Sequence, residues 1–124
     1  KLKQIHHELK LTLVYVTHDQ VEALTFADQV VVMTRGKVVQ LGTPDALFER
    51  PAHTFVGHFI GSPGMNFLPV RAQGGTLEIA GRRLSTPRTL ADGALQLGVR
   101  PEYVWLGLFG THTCFYGDNE ELVA

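Results

Sequence analysis

The sequence predicts an α/β segment over residues 1–62 followed by a small all-β domain over residues 63–124. Three observations predict this. In the first half, short apolar blocks rich in Val alternate with stretches of helical period. In the second half, short strand-like stretches are separated by glycine turns. Between them, Gly61-Ser62-Pro63-Gly64 marks a shift in composition that reads as a linker.

Lys1 to Lys10 reads as a helix, with Leu2, Ile5 and Leu9 on one stripe and Lys3, Gln4, His7 and Glu8 largely on the other face. Leu11-Thr12-Leu13-Val14-Tyr15-Val16 lacks alternation and is too short for a helix, which suits a strand buried on both faces. Thr17-His18-Asp19 breaks it. Asp19-Gln20-Val21-Glu22 has the form of a capping box, with Asp19 as N-cap and Glu22 reaching back from the third helical position. The helix it opens turns Val21, Leu24 and Ala27 inward. Gln29 to Thr34 is a second buried strand, Arg35-Gly36 a turn, and Lys37 to Gly42 an alternating return strand, which together make a hairpin. Thr43 caps a short helix with Pro44 at its first position, ending near Arg50-Pro51. A last helix runs from Ala52 to Ile60 and stops at Gly61.

The second half offers strands at Asn66 to Ala72, Thr76 to Ala80 and Leu95 to Arg100, with turns at Gly74-Gly75 and Gly81-Arg82. Tyr103, Trp105, Phe109, Phe115 and Tyr116 form a late aromatic stretch, and the acidic tail Gly117 to Ala124 has little to pack. Two buried strands cannot complete a two-sided sheet, so residues 1 to about 60 read as the end of a larger α/β domain.

Composition excludes several classes of function. The chain has 124 residues, 44% apolar and 19% charged, with a formal charge of −1. Neither half carries the basic excess that binding a phosphate backbone needs, so no nucleic-acid partner is expected. The late aromatics therefore read as core or interface in preference to a base-stacking platform. No apolar run approaches eighteen residues, and no apolar signal core follows Lys1-Leu2-Lys3-Gln4. The single cysteine, Cys114, rules out an internal disulfide and suits a reducing compartment. His112 and Cys114 lack third and fourth ligands, so no metal site is expected. Arg82, Arg83 and Arg88 read as a solvated turn more than as an anion patch. His6, His7, His53 and His58 receive no function.

Val16-Thr17-His18-Asp19-Gln20-Val21-Glu22-Ala23 resembles the switch-histidine segment of ABC transporter ATPases. Ala27 to Met33 and Gly36 to Pro44 are similar to the same family. Pro51-Ala52, Phe55-Val56, Phe59 to Pro63 and Met65 to Leu68 resemble the ATP-binding subunits of bacterial importers for maltose-type sugars and glycerol phosphate. Gly98-Val99-Arg100-Pro101-Glu102 resembles the signature of their regulatory, transport-associated OB-type domain. The resemblance implies a partial P-loop ATPase domain over residues 1–62 and an incomplete OB-like domain over residues 63–124, divergent after Glu102. It implies that His18 contacts the γ-phosphate of ATP, that the complete subunit uses ATP and Mg2+, and that it works as a dimer with membrane-embedded permease subunits. It places that subunit peripherally on the cytoplasmic face of the inner membrane.

The chemistry fits the residue. Phosphoryl transfer is mostly positioning and charge stabilisation, and an imidazole held at one nitrogen can donate from the other. The competing reading of His18 is a hydrogen-bonded histidine at a strand end, without function. No Gly-x-x-x-x-Gly-Lys-Ser/Thr stretch occurs in the sequence, so the chain alone is expected neither to bind ATP tightly nor to hydrolyse it. A different class of function, a non-enzymatic β-module binding a ligand or partner and dimerising through its first sixty residues, is the alternative expectation.

Overall fold

The computed structural model describes residues 2–105, 108, 109 and 113–124. Helix α1 (Leu2–Leu9) comes first, followed by an irregular stretch and helix α2 (Gln20–Phe26). Strands β1 (Val30–Thr34) and β2 (Lys37–Gly42) pair antiparallel, with an irregularity between Val32 and Met33. Two short helices follow, α3 (Pro44–Glu49) and α4 (Thr54–Phe59). The second half is an antiparallel sheet of five strands: β3 (Asn66–Gln73), β4 (Thr76–Ile79), β5 (Arg82–Ser85), β6 (Gly93–Val99) and β9 (Thr113–Tyr116), in the order β5-β4-β3-β6-β9. A 3-10 turn, Pro101–Tyr103, leads into the short pair β7 (Val104–Trp105) and β8 (Leu108–Phe109).

The hairpins follow from local chemistry. Arg35-Gly36, Gly74-Gly75 and Ala80-Gly81 all have positive φ at both central residues. That geometry matches the right-handed twist of the strands they join. Asp19 caps α2 as expected: its Oδ1 accepts from the backbone N–H of Val21 at 2.8 Å and of Glu22 at 3.2 Å. Thr43 caps α3 by accepting from Ala46 N–H at 3.2 Å. α4 starts on His53, whose Nδ1 accepts from Phe55 N–H at 3.0 Å.

The core lies in three clusters. Val30 and Val32 of β1 pack with Leu47, Val56 and Ile60 of the helices. Val70, Ala72, Leu77, Leu97, Val99 and Phe115 fill one face of the sheet. Met65, Cys114 and Tyr116, with Phe67 and Leu122 against them, form the third.

The structure corrects several expectations. Leu11 to Val16 is not a strand, and Val14 and Val16 are 83% and 90% exposed. A strand buried on both faces needs a ladder partner on its edges, and none of the described residues supplies one. β1 is buried on one face only: Val30 and Val32 are covered, whereas Val31 and Met33 are half exposed. α2 turns Leu24 and Ala27 inward, but Val21 faces outward. On α1, Ile5 and Leu9 are exposed. Arg82 belongs to β5, so the turn is Ala80-Gly81 and the arginine pair sits on a strand. The tail is packed, not loose. Phe115 N–H donates to Ala124 O, Val123 N–H to Phe115 O, Leu122 N–H to Ala52 O, and Thr54 N–H to Glu120 O. Backbone groups make these bonds, so an acidic composition conceals them.

Candidate functional site

His18 is exposed and immediately precedes the N-cap of α2. Its neighbours are tied into a local network. Glu22 Oε2 accepts from the Tyr15 hydroxyl at 3.0 Å and the Thr17 hydroxyl at 3.2 Å. Asp19 N–H donates to Thr17 Oγ1 at 3.0 Å. The expected capping box is therefore half formed: Asp19 caps the helix, but Glu22 serves Tyr15 and Thr17, and Thr17 takes the Asp19 N–H. The bond to Glu22 also raises the Tyr15 phenol above its ordinary pKa. This network fixes the backbone on both sides of His18 while leaving the imidazole open to solvent.

The next residue ties the segment to the rest of the molecule. Gln20 uses both ends of its amide on one glycine: Oε1 accepts from Gly61 N–H at 2.8 Å, and Nε2 donates to Gly61 O at 3.4 Å. Gly61 has φ +115°, a conformation that favours glycine, and a Cβ there would lie 2.7 Å from Arg100 Nη1.

Arg100 occupies the other side of the same stretch. It is 1% exposed. Its Nε donates to Phe48 O at 2.7 Å and its Nη1 to Ile60 O at 2.6 Å. These carbonyls belong to the last turn of α3 and the C-cap of α4, where helices leave acceptors unpaired and favour a cation. The guanidinium lies 3.9 Å from the centroid of the Phe48 ring. Nη2 is buried without a hydrogen-bond partner among the described residues. Burial lowers the Arg100 pKa, and Glu102 leads the charges that oppose this shift. Two further bonds cross the same junction. The Tyr116 hydroxyl donates to Pro51 O at 3.0 Å, and the Tyr103 hydroxyl to Glu49 Oε1 at 2.7 Å.

Residues 61–104 match the family described as "MalK OB fold domain". The chain is 51% identical over 104 residues to the sn-glycerol-3-phosphate import ATP-binding protein UgpC of Cereibacter sphaeroides, covering 84% of this chain and 30% of that protein. It is 48% identical over 108 residues to the protein of that name from Vibrio vulnificus, with 86% and 29% covered. An ABC transporter ATP-binding protein of Sinorhizobium fredii is 49% identical over 123 residues, with 89% and 32% covered. Over most of its length the chain is thus similar to ATP-binding proteins of ABC transporters, and its second half carries the match to the MalK-type OB fold. It spans about 30% of the length of these relatives.

The OB-fold match begins at Gly61, the residue that Gln20 holds, and includes Arg100. Gln20, Phe48 and Ile60 lie outside it. The sequence points to His18 through its motif and holds Arg100 within a signature, but carries no sign of the bonds that Arg100 and Gln20 make. The signal available was Arg100 itself, a charge at the end of a strand otherwise apolar on its inner face. Of the remaining candidates, Cys114 also reaches across the junction, its thiol donating to Glu49 O at 3.9 Å. Arg82 and Arg83 are exposed, and Arg88 lies over the Phe115 ring at 5.5 Å. Cys114 is buried, which raises its thiol pKa. His112 lies outside the described residues. Among the described residues no group of three or more His, Cys, Asp or Glu side chains could hold a metal ion, and no helix is long and apolar enough to cross a membrane.

Proposed function

We propose that this chain is part of an ATP-hydrolysing subunit that drives solute uptake by an ABC importer, and that His18 is its γ-phosphate contact. The observation that carries the reading is an exposed histidine on a braced backbone, inside a stretch similar to importer ATP-binding proteins. The Sinorhizobium fredii match covers 89% of the chain, and a continuous stretch of that share contains residue 18 wherever it begins. A donor fixed at the γ-phosphate helps orient the attacking water and stabilises charge developing on the phosphoryl oxygens. ATP and Mg2+ belong to the complete subunit, where backbone and side chains beyond this sequence hold most of the nucleotide.

On this reading residues 1–62 are the end of the nucleotide-binding domain, a partial P-loop ATPase fold, and residues 63–124 part of an OB-type regulatory domain. The start of the OB-fold match at residue 61 supports that division. The partners are a second copy of the subunit and the permease subunits, at the cytoplasmic face of the inner membrane. The relatives' printed names, which specify glycerol-3-phosphate import, support a sugar or sugar-phosphate-like solute.

The test is His18→Ala in the intact subunit. ATP turnover should fall at least about a hundredfold while nucleotide binding stays within about threefold. A variant that keeps most of its turnover would show that His18 is a surface histidine and nothing more.

A further inference from the structure

The Ile60–Gly61 peptide is held from two directions. Gln20 bonds both backbone groups of Gly61, and Arg100 bonds the carbonyl of Ile60. The two holders come from distant parts of the chain, one at the start of α2 and the other just after β6. Neither interaction is explained by making its own element. α2 is already capped by Asp19, and β6 is already paired on both sides by β3 and β9. Gln20 is a half-buried, uncharged side chain that uses its whole amide on a single residue, as a paired strand would. Arg100 is a buried cation held by carbonyls and a ring, with no carboxylate ion-paired to it among the described residues.

We propose that Gln20 is a positioning residue for His18: with Arg100 it clamps the Ile60–Gly61 peptide and fixes the orientation of the segment that presents the imidazole. This rests on the functional reading of His18 given above. His18 has an exposed side chain on a stretch with no regular structure before Gln20, so its placement depends on what anchors that stretch. On its amino-terminal side, the Tyr15, Thr17 and Glu22 bonds are all exposed and local. On its carboxyl-terminal side, the Gln20 bonds reach a residue 41 positions away. Gln20 therefore supplies the long-range polar anchor nearest His18, ahead of the apolar packing of Leu24 and Ala27, and Arg100 fixes the point to which it is anchored. A shift of Gly61 relative to Arg100 moves Gln20, and with it the start of α2.

The experiment measures ATP turnover of the intact subunit carrying Gln20→Leu, Gln20→Glu or His18→Ala. Leu removes both bonds to Gly61, whereas Glu retains the shorter one, accepting from Gly61 N–H. Misplacing a catalytic group by about 1 Å costs up to a hundredfold, so Gln20→Leu should lower kcat by about tenfold with KM for ATP within about twofold. Gln20→Glu, which keeps the bond from Gly61 N–H but sets its other oxygen against Gly61 O, should fall between the parent and Gln20→Leu. Hydrogen exchange on the 124-residue chain reads the clamp separately. Arg100→Met should speed exchange of the Gly61, Val21 and Glu22 amides together, by about tenfold. Wild-type kcat in Gln20→Leu beside an inactive His18→Ala would overturn the positioning role and leave the function of His18 standing. Full turnover in His18→Ala would overturn the functional reading and this inference with it. Exchange at Gly61 that rises without any change at Val21 and Glu22 would overturn the coupling.

Discussion

Replacing Arg100 by Met tests how the two halves of the chain are joined. The substitution keeps an unbranched stem of similar bulk against Phe48 but removes the guanidinium. Two bonds are lost, to Phe48 O at 2.7 Å and Ile60 O at 2.6 Å. Hydrogen bonds to charged groups contribute about 1.5–3 kcal/mol each, and the cation over the Phe48 ring adds about 1 kcal/mol. Opposing this, Arg100 is 1% exposed and its Nη2 is without a partner among the described residues. Desolvating the charge and that donor offsets several kcal/mol. Met also leaves two carbonyls without their donor. The net expectation is a loss of about 2–4 kcal/mol, or about 8–15 °C in Tm for a chain of this length. Urea unfolding of the 124-residue chain, followed by circular dichroism with the slope m compared between variants, measures it directly. Arg100→Lys should fall between the two, because an ammonium cannot span both carbonyls in the fork geometry of a guanidinium. A loss below about 0.5 kcal/mol for Met would refute the reasoning, since it would mean that desolvation cancels the bonds and Arg100 adds nothing net to the junction.

Gly61→Ala should destabilise the chain by about 2–3 kcal/mol, because φ +115° is strained for alanine and the new Cβ would lie 2.7 Å from Arg100 Nη1; a neutral change in urea midpoint would count against the tight approach. Tyr116→Phe should cost about 1–2 kcal/mol at neutral pH by leaving the buried Pro51 carbonyl unpaired. Burial holds the Tyr116 phenol above its ordinary pKa, so its contribution is fully present below about pH 10 and lost as pH rises beyond that. The Phe variant should therefore lose less stability than wild type in alkaline solution, and parallel pH profiles would contradict this. The isolated 124-residue chain should associate at micromolar concentration in sedimentation, through the exposed Val14, Val16, Val31, Met33, Val38 and Leu41; a strictly monomeric chain would show that this surface does not self-associate.

Much of the fold was legible because it is written in local chemistry. Asp19 and Thr43 cap helices where their side chains predict, and the dipeptides Arg35-Gly36 and Gly74-Gly75 turn hairpins as glycine permits. β3, β4 and β6 lie within a few residues of their expected places. The failures share a cause. Leu11 to Val16 has the composition of a buried strand, but a strand exists only through its partners. β5 and the packed tail were missed for the converse reason. Arg82 and Arg83 read as polar turn residues, yet Arg82 pairs with Ile79 and Arg83 with Glu78. Glu120 and Leu122 are held by backbone bonds to Thr54 and Ala52, far away in sequence. His18 was legible as a candidate because its neighbours form a motif. Gln20 was not, because a glutamine on a helical surface has the same sequence signal whether its amide meets water or Gly61.

The pattern of exposure bears on the proposed function. On β1, Val30 and Val32 are covered by Leu47, Val56 and Ile60, while Val31 and Met33 on the opposite face are 50% and 56% exposed. Val38 and Leu41 of β2 are 61% and 60% exposed. Scattered apolar residues on a surface need no explanation, but the outer face of a valine-rich hairpin and the adjacent run from Leu11 to Val16 are a different matter. A sequence that placed β-branched residues on both faces of β1 is written for a sheet covered on both sides. The covered face is the one built against α3 and α4, which reach the OB-type half through Arg100, Tyr103 and Tyr116. On the proposed function, the uncovered face is where the rest of a nucleotide-binding domain would pack. His18 sits between them, next to the uncovered segment on one side and to Gln20 and the clamped peptide on the other. On the proposed division of the chain, that position makes the histidine segment the stretch where a change in the OB-type half and a change in the proposed nucleotide-binding part would meet.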